Sequence, residues 1–182
     1  MKRNPERDKN MHPTNPLGYN EIASLLIDLR GYLSVGMIMK PTVFVGFRYA
    51  KEDQEVVRTF MELLALEGFE ILSGKTAKAE DVDEKVKGLI SSCDGTIVIF
   101  TKSQELKEGG WSTSVWLSDE KAFAMGKGQE VGLFFEDCIS KESRKGIHGD
   151  LEYIEFDREN MQEAFLEAIP YLRDFKQKIL KY

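Results

Sequence analysis

The sequence predicts an α/β protein, a flavodoxin-like three-layer fold with a five-stranded parallel sheet, plus an N-terminal helix. Two observations predict it. Short apolar runs such as TVFVGF (42–47), GTIVIF (95–100) and EVGLFF (130–135) read as strands buried on both faces. Between them lie segments whose apolar residues recur at helical spacing, and strands alternating with helices imply a parallel sheet with crossovers on both faces.

Residues 1–19 are rich in Pro, Asn and charge and read as a disordered tail. Ile22, Leu25, Leu26, Leu29, Tyr32 and Leu33 follow helical spacing and mark an N-terminal helix over 20–35, within a helix-and-linker segment 20–40. That helix either packs on the domain or serves oligomerisation or regulation. The α/β domain then occupies 41–182 and opens on the strand 42–47. A helix from Asp53 to Glu67 carries Val56, Val57, Phe60, Leu63, Leu64 and Leu66 and is closed by Gly68. FEIL (69–72) is the second strand, and SGKTAKAED the loop after it. Val82, Val86, Leu89 and Ile90 mark the next helix, GTIVIF the third strand, and TKSQELKEGGWST a long loop. A helix through WLSDEKAFAMG precedes the fourth strand, EVGLFF. The stretch ISKESRKGIHGD reads as a loop, and EYIEF (152–156) as the fifth strand. The last helix runs from about Glu159, with Met161, Phe165, Ile169, Leu172, Phe175 and Ile179 inward, and Pro170 kinks it or marks a boundary.

Composition narrows the function classes. Of 182 residues, 42% are hydrophobic and 31% charged, which suits one domain with a real core. The formal net charge of −6, without a Lys/Arg face, argues against nucleic-acid binding. No apolar run approaches the ~18 residues of a membrane span, and MKRNPERDKN lacks the apolar core of a secretory signal. Two cysteines, Cys93 and Cys138, suggest neither a disulfide framework nor a thiolate metal site. The expectation is a soluble, cytoplasmic protein without a metal. With only His12 and His148 available, a histidine triad or zinc cluster is improbable, and catalysis should rest on carboxylates.

One carboxylate stands out. At roughly 100° per residue, Trp116, Leu117, Phe123 and Ala124 fall within an arc of roughly 120°, and Glu120 lies inside it. Ligands of parallel α/β sheets bind beyond the carboxyl ends of the strands. The residues after the first strand, the loops after the second and third, and the helix start bearing Trp116 and Glu120 all meet at that edge. A glutamate on a helix is otherwise an ordinary solvated residue, and an Arg after a strand is often only an ion-pair residue.

The motifs VFVGFRYAKED (43–53), LLALEGFEIL, SSCDGTIVIFTKS and VWLSDEKAFAMGKGQEVGLFF, in this order, resemble the Toll/interleukin receptor (TIR) domain family, in its stand-alone prokaryotic type, over roughly 41–175. The resemblance implies cleavage of the nicotinamide–ribose bond of NAD, as substrate and not cofactor, in signalling or defence. It implies Glu120 as the catalytic carboxylate, Trp116 as its aromatic neighbour, and Phe47 and Arg48 lining the NAD pocket. Self-assembly is implied through the 73–80 loop, with the 20–35 helix as a second candidate surface for a homo-oligomer. The loop carries Ala79 where many members have Gly, and it lacks the Pro of receptor-type members. Nicotinamide leaves NAD as a neutral pyridine, so the chemistry needs no general acid; it needs a carboxylate to stabilise an oxocarbenium-like ribose. Two alternatives stand beside this reading: a non-catalytic TIR-like assembly module, and a nucleoside 2-deoxyribosyltransferase-like enzyme, which also sets a helix Glu against an anomeric carbon.

Overall fold

A computed structural model describes residues 40–74, 82–149 and 151–181. The chain divides into Met1–Met39 and Lys40–Tyr182, and the described residues all belong to the second unit. The expected tail, the 20–35 helix and most of the 73–80 loop lie outside the described residues.

The described chain is a flavodoxin-like three-layer α/β fold. Five strands, β1 (Thr42–Phe47), β2 (Glu70–Leu72), β3 (Gly95–Phe100), β4 (Glu130–Glu136) and β5 (Ile154–Phe156), form one sheet in the order β2-β1-β3-β4-β5. Every pairing is parallel. Five helices connect and follow them: α1 (Gln54–Leu66), α2 (Val82–Ser91), α3 (Val115–Gly126), α4 (Lys141–His148) and α5 (Met161–Ile179). A 3-10 turn, Lys51–Asp53, leads into α1. Order reverses between β1 and β3, which makes their carboxyl ends the topological switch point where such sheets bind ligands.

Strand alternation sorts the core into two layers. Val43, Val45 and Phe47 of β1, Ile97 and Ile99 of β3 and Phe134 of β4 face α1 and α5, where Phe60 packs at 4.9 Å from the Phe134 ring and 5.0 Å from the Phe156 ring. Phe44, Val98, Phe100, Leu133 and Phe135 face the other way, against Val86 and Ile90 of α2 and Leu117 and Ala124 of α3. Gly46 belongs to this second face and contributes no side chain to it. Gln129, before β4, ties α2 to the sheet: its Nε2 donates to the carbonyls of Ile90 and Cys93 at 2.7 Å each, closing the end of α2, and its Oε1 accepts from Thr96 Oγ1 at 3.0 Å.

One expectation is corrected and another narrowed. The segment read as a loop, ISKESRKGIHGD, contains helix α4. Its sequence has no apolar stripe, so periodicity could not reveal it. The helix is instead started by Ser140, whose Oγ accepts from the Ser143 amide at 3.1 Å. It is held by buried Arg144, whose Nε donates to the Ile139 carbonyl at 2.8 Å and whose Nη1 pairs with Glu155 at 2.7 Å. Pro170 marks no boundary: α5 continues past it as one helix, and Pro170 lies on its exposed side. Ala164, Ala168, Leu172, Phe175 and Ile179 form the buried stripe of α5, with Met161, Phe165 and Ile169 only half-buried.

Candidate active site at the switch point

Helix α3 is delivered by the 101–114 loop, which is pinned rather than loose. Thr113 Oγ1 donates to the Thr101 carbonyl at 2.9 Å, and the Trp111 backbone bonds to Cys138 and Ser140 at 3.1 and 2.9 Å. Leu117 and Ala124 then dock fully on the sheet, and Ala124 is small enough for close approach. Glu120 falls between them on the same face and is 8% exposed. The buried sector is therefore centred on Leu117, Glu120 and Ala124. Trp116 sits at its margin, 47% exposed, and Phe123 is half-buried.

The Glu120 carboxyl has an asymmetric setting. Its Oε1 accepts from Trp116 Nε1 at 3.0 Å, one helical turn away. Its Oε2 is buried with no hydrogen-bond partner, the one such side-chain atom among the described residues. An unpaired buried oxygen costs about 1–3 kcal/mol, and an ionised one more. Burial accordingly pushes the Glu120 pKa up to about 7, while the indole hydrogen bond draws it back in part. Indole only donates, so Oε1 is an acceptor in both protonation states and the titrating proton has Oε2 as its place. This carboxyl is poised to be acid or base near neutral pH, as a catalytic group needs.

Glu120 lies on the wall of a cleft of about 420 Å³ between α2 and α3, which Val86, Lys87, Trp116, Asp119 and Phe123 also line. Lys87 is paired with Asp83 at 2.6 Å and stands 5.8 Å above the Phe123 ring.

Phe47 and Arg48 are not in this cleft. They line a wider one of about 790 Å³ on the α1 side, together with Tyr49, Arg58, Met61 and Ser73. The reason is strand alternation: Phe47 points to the face opposite Gly46 and is buried against the α1 layer. Arg48 is also engaged within the protein, its Nε on buried Asp53 at 2.7 Å and its Nη2 on Glu52 at 3.0 Å. The sequence brought Phe47, Arg48, Trp116 and Glu120 to one edge; the structure unites only Trp116 and Glu120 in one cleft.

Tyr49, which sequence reasoning gave no role, lines the wider cleft. Its ring packs on Phe47 at 4.6 Å. Burial first, and the Glu120 charge second, push its phenol up to about 12, against a hydrogen bond with Ser73. It thus keeps its proton at neutral pH, close enough for the Glu120 charge to act on it. No sequence signal singled it out beyond its place after a strand.

A buried ion-pair cluster is a second feature that the sequence did not disclose. Asp53, fully buried, accepts from Arg48, from Thr101 Oγ1 at 2.7 Å and from Arg158 Nη2 at 3.2 Å. Arg158 also grips Glu136 through Nε and Nη2, both at 2.5 Å. Burial works to raise the pKa of Glu136, but the bonds from Arg158 and the Lys102 amide, with their charges, outweigh it and hold that pKa low. Among the described residues, no group of three or more His, Cys, Asp or Glu side chains is placed to hold a metal. No described helix is long and apolar enough to cross a membrane.

The indole bond makes a direct test. Trp116→Phe keeps the ring but removes the donor that stabilises the carboxylate, so the Glu120 titration should move above 7, as read by ¹³C NMR of the side-chain carboxyl. An unmoved titration would mean that the bond does not form in solution.

No family model matches the sequence, and no curated protein matches it. Among solved structures, the chain is similar to the CMP N-glycosidase BcmB of Clostridium botulinum at 14% identity and a TM-score of 0.48, covering 72% of this chain and 98% of that one. It is similar to the Flv1 flavodiiron core from Synechocystis sp. PCC6803 at 15% identity and a TM-score of 0.47, covering 88% of this chain and 41% of that one. It is similar to a 2-deoxyribosyltransferase from Bacillus psychrosaccharolyticus at 13% identity and a TM-score of 0.46, covering 70% of this chain and 90% of that one.

Proposed function

We propose that the protein cleaves an N-glycosidic bond of a nucleoside or nucleotide, with the Glu120 carboxylate acting at the anomeric carbon. The observation that carries this reading is the Glu120 carboxyl itself: buried, half-satisfied, titrating near 7, and set on the wall of a cleft between α2 and α3 beside Gly46 of β1. Loss of a base from ribose builds positive charge on the sugar ring. A carboxylate in a poorly solvated site stabilises that charge more than water does. A neutral base leaves more readily when protonated, and that proton comes from solvent, since a phenol raised to about 12 is too weak an acid to give it up at neutral pH. Two of the structures named above, a CMP N-glycosidase and a 2-deoxyribosyltransferase, bear names from this reaction class; the weight of the proposal lies on Glu120.

The nature of the base separates two versions. Arg48 is spent on Asp53 and Glu52, which removes the cation expected to meet a diphosphate and favours a nucleoside or mononucleotide. The NAD version, hydrolase or cyclase, is favoured by the Trp116–Glu120 bond, since a Trp four residues ahead of the Glu is the feature on which the TIR resemblance turns. The test is release of free base, followed by chromatography, from NAD and separately from ribo- and deoxynucleosides and their 5′-monophosphates. A second base is added as acceptor in one set. Release from NAD alone selects the TIR-type enzyme, and release or exchange from nucleosides selects the other. Release from none, by a folded protein at high concentration, overturns the enzymatic reading and leaves the assembly module.

A further inference from the structure

A glycine within a buried strand removes packing and marks a close approach of something to the backbone. In β1 that residue is Gly46, and what approaches is Glu120. A β-carbon built on Gly46 would lie closer than 3.0 Å to Glu120 Oε2, while its next neighbours, Glu120 Cδ and Phe44, lie at an ordinary 3.5 Å. The conflict is thus with one carboxyl oxygen and nothing else nearby. The φ of Gly46 is not among the positive ones of this chain, so its backbone does not demand glycine. Sterically, the only thing glycine provides here is room for that oxygen.

We propose that Gly46 is a positioning residue for the reaction assigned to Glu120: its missing side chain forms a seat in β1 that receives Oε2, while the Trp116 indole holds Oε1. The inference rests on the functional reading only for its consequence, since the seat itself is geometry. A glutamate has three rotatable bonds and loses its rotamer freedom only when both ends of the carboxyl are fixed. The indole fixes one oxygen and the strand backbone confines the other, so the carboxyl is held in one orientation at the cleft wall instead of turning among its rotamers. The seat is also what keeps Oε2 away from water, and hence what sustains the raised pKa. The titratable and charged groups facing Glu120 are Tyr49 beyond β1, Asp83 and Lys87 of α2, and Asp119 of α3 itself. Substitution of Gly46 changes none of them.

The experiment is Gly46→Ala in two backgrounds. Because the nearest atom is the tip of a flexible side chain, the variant should fold, with the carboxyl displaced toward the cleft. The Glu120 titration, followed by ¹³C NMR and assigned by its absence from Glu120→Gln, should then fall from about 7 toward 4.5. At pH 5, where the seated carboxyl is neutral, Gly46→Ala should lower the melting temperature of the parent protein. In the Glu120→Ala background it should leave the melting temperature unchanged or raise it. If Gly46→Ala fails to fold, folding of the double variant Gly46→Ala/Glu120→Ala supports the seat and its failure overturns it. A titration that stays near 7, or an equal loss of stability in both backgrounds, overturns the proposal too. None of these readouts needs a substrate, so the seat can stand even if the glycosidic reading falls. Where base release is measurable, Gly46→Ala should reduce kcat by 10-fold or more with KM little changed.

Discussion

Glu120→Gln should abolish base release and, above neutral pH, yield a more stable protein than the parent. The two effects have one cause. Glu120 in the folded chain titrates near 7 instead of 4.5, because burial penalises its charged form. Between those values the folded protein holds a proton that the unfolded chain has already lost. Stability therefore falls as pH rises through this window and is level above it. At 1.36 kcal/mol per pKa unit, the cost at pH 8 is about 3 kcal/mol. Glutamine has the shape of the protonated acid and never ionises, so it escapes that cost. The advantage of the variant should be small at pH 4.5, grow to pH 7 and stay constant beyond. For a chain of this size it corresponds to a rise in melting temperature on the order of 10 °C. Activity should drop by about 10²–10³-fold or more, the loss seen when a preorganised electrostatic group is removed. Thermal unfolding at pH 5 and pH 8, beside base release, checks both. A variant no more stable than the parent at pH 8 would mean that Glu120 is not held as a buried, strained carboxylate. The seat would then lose its purpose.

How far the sequence disclosed this site depends on what kind of signal each residue leaves. β1 and β3 were read to the residue, because strands covered on both faces are continuous apolar runs that polar residues interrupt. Glu120 was visible because a carboxylate inside a helical apolar arc breaks a pattern. Gly46 was not, since it contributes by having no side chain; the signal was there, a lone glycine in a buried strand, but it does not name its partner. Phe47 and Arg48 were grouped with Glu120 because topology takes all of them to one sheet edge. Alternation along β1 then sends neighbours in sequence to opposite faces, which adjacency at an edge does not reveal. The Asp53–Arg158–Glu136 cluster joins Asp53 to residues more than eighty positions away, so neither period nor spacing could show it. Each member, taken alone, reads as a surface charge.

That cluster sets the largest expected effect on stability, from a residue in neither cleft. Arg158→Met should destabilise the protein by about 3–5 kcal/mol at pH 7, the usual cost of removing one partner from a buried ion pair. Methionine keeps much of the stem volume, so the loss reads the guanidinium and not a cavity. Two carboxylates are affected. Asp53 retains Arg48 and Thr101, both at 2.7 Å, whereas Glu136 is left with the Lys102 amide at 2.8 Å and the Lys102 ammonium at 3.7 Å. Glu136 should therefore bear most of the deficit, and pH provides the test. Its pKa in the parent is held low, so its contribution is present above the ordinary carboxylate range and is lost as pH falls through the lowered value. Without Arg158 the pKa rises, the carboxyl protonates earlier, and a neutral Glu136 no longer needs the missing cation. Urea unfolding should show the gap between parent and variant wide at pH 7 and narrowed at pH 4. Arg158→Lys should fall between them, since an ammonium cannot grip Glu136 with two parallel bonds and still reach Asp53. Adding Glu136→Gln to Arg158→Met should recover part of the loss, because it removes the stranded charge. A pH-independent deficit, or one that the second substitution deepens, would place the role of Arg158 in packing. The functional stake is indirect: Asp53 anchors Arg48, and Arg48 precedes Tyr49, whose phenol the Glu120 charge reaches. Loosening the cluster should leave the Glu120 titration near 7, since no member of it bonds Glu120 or its seat.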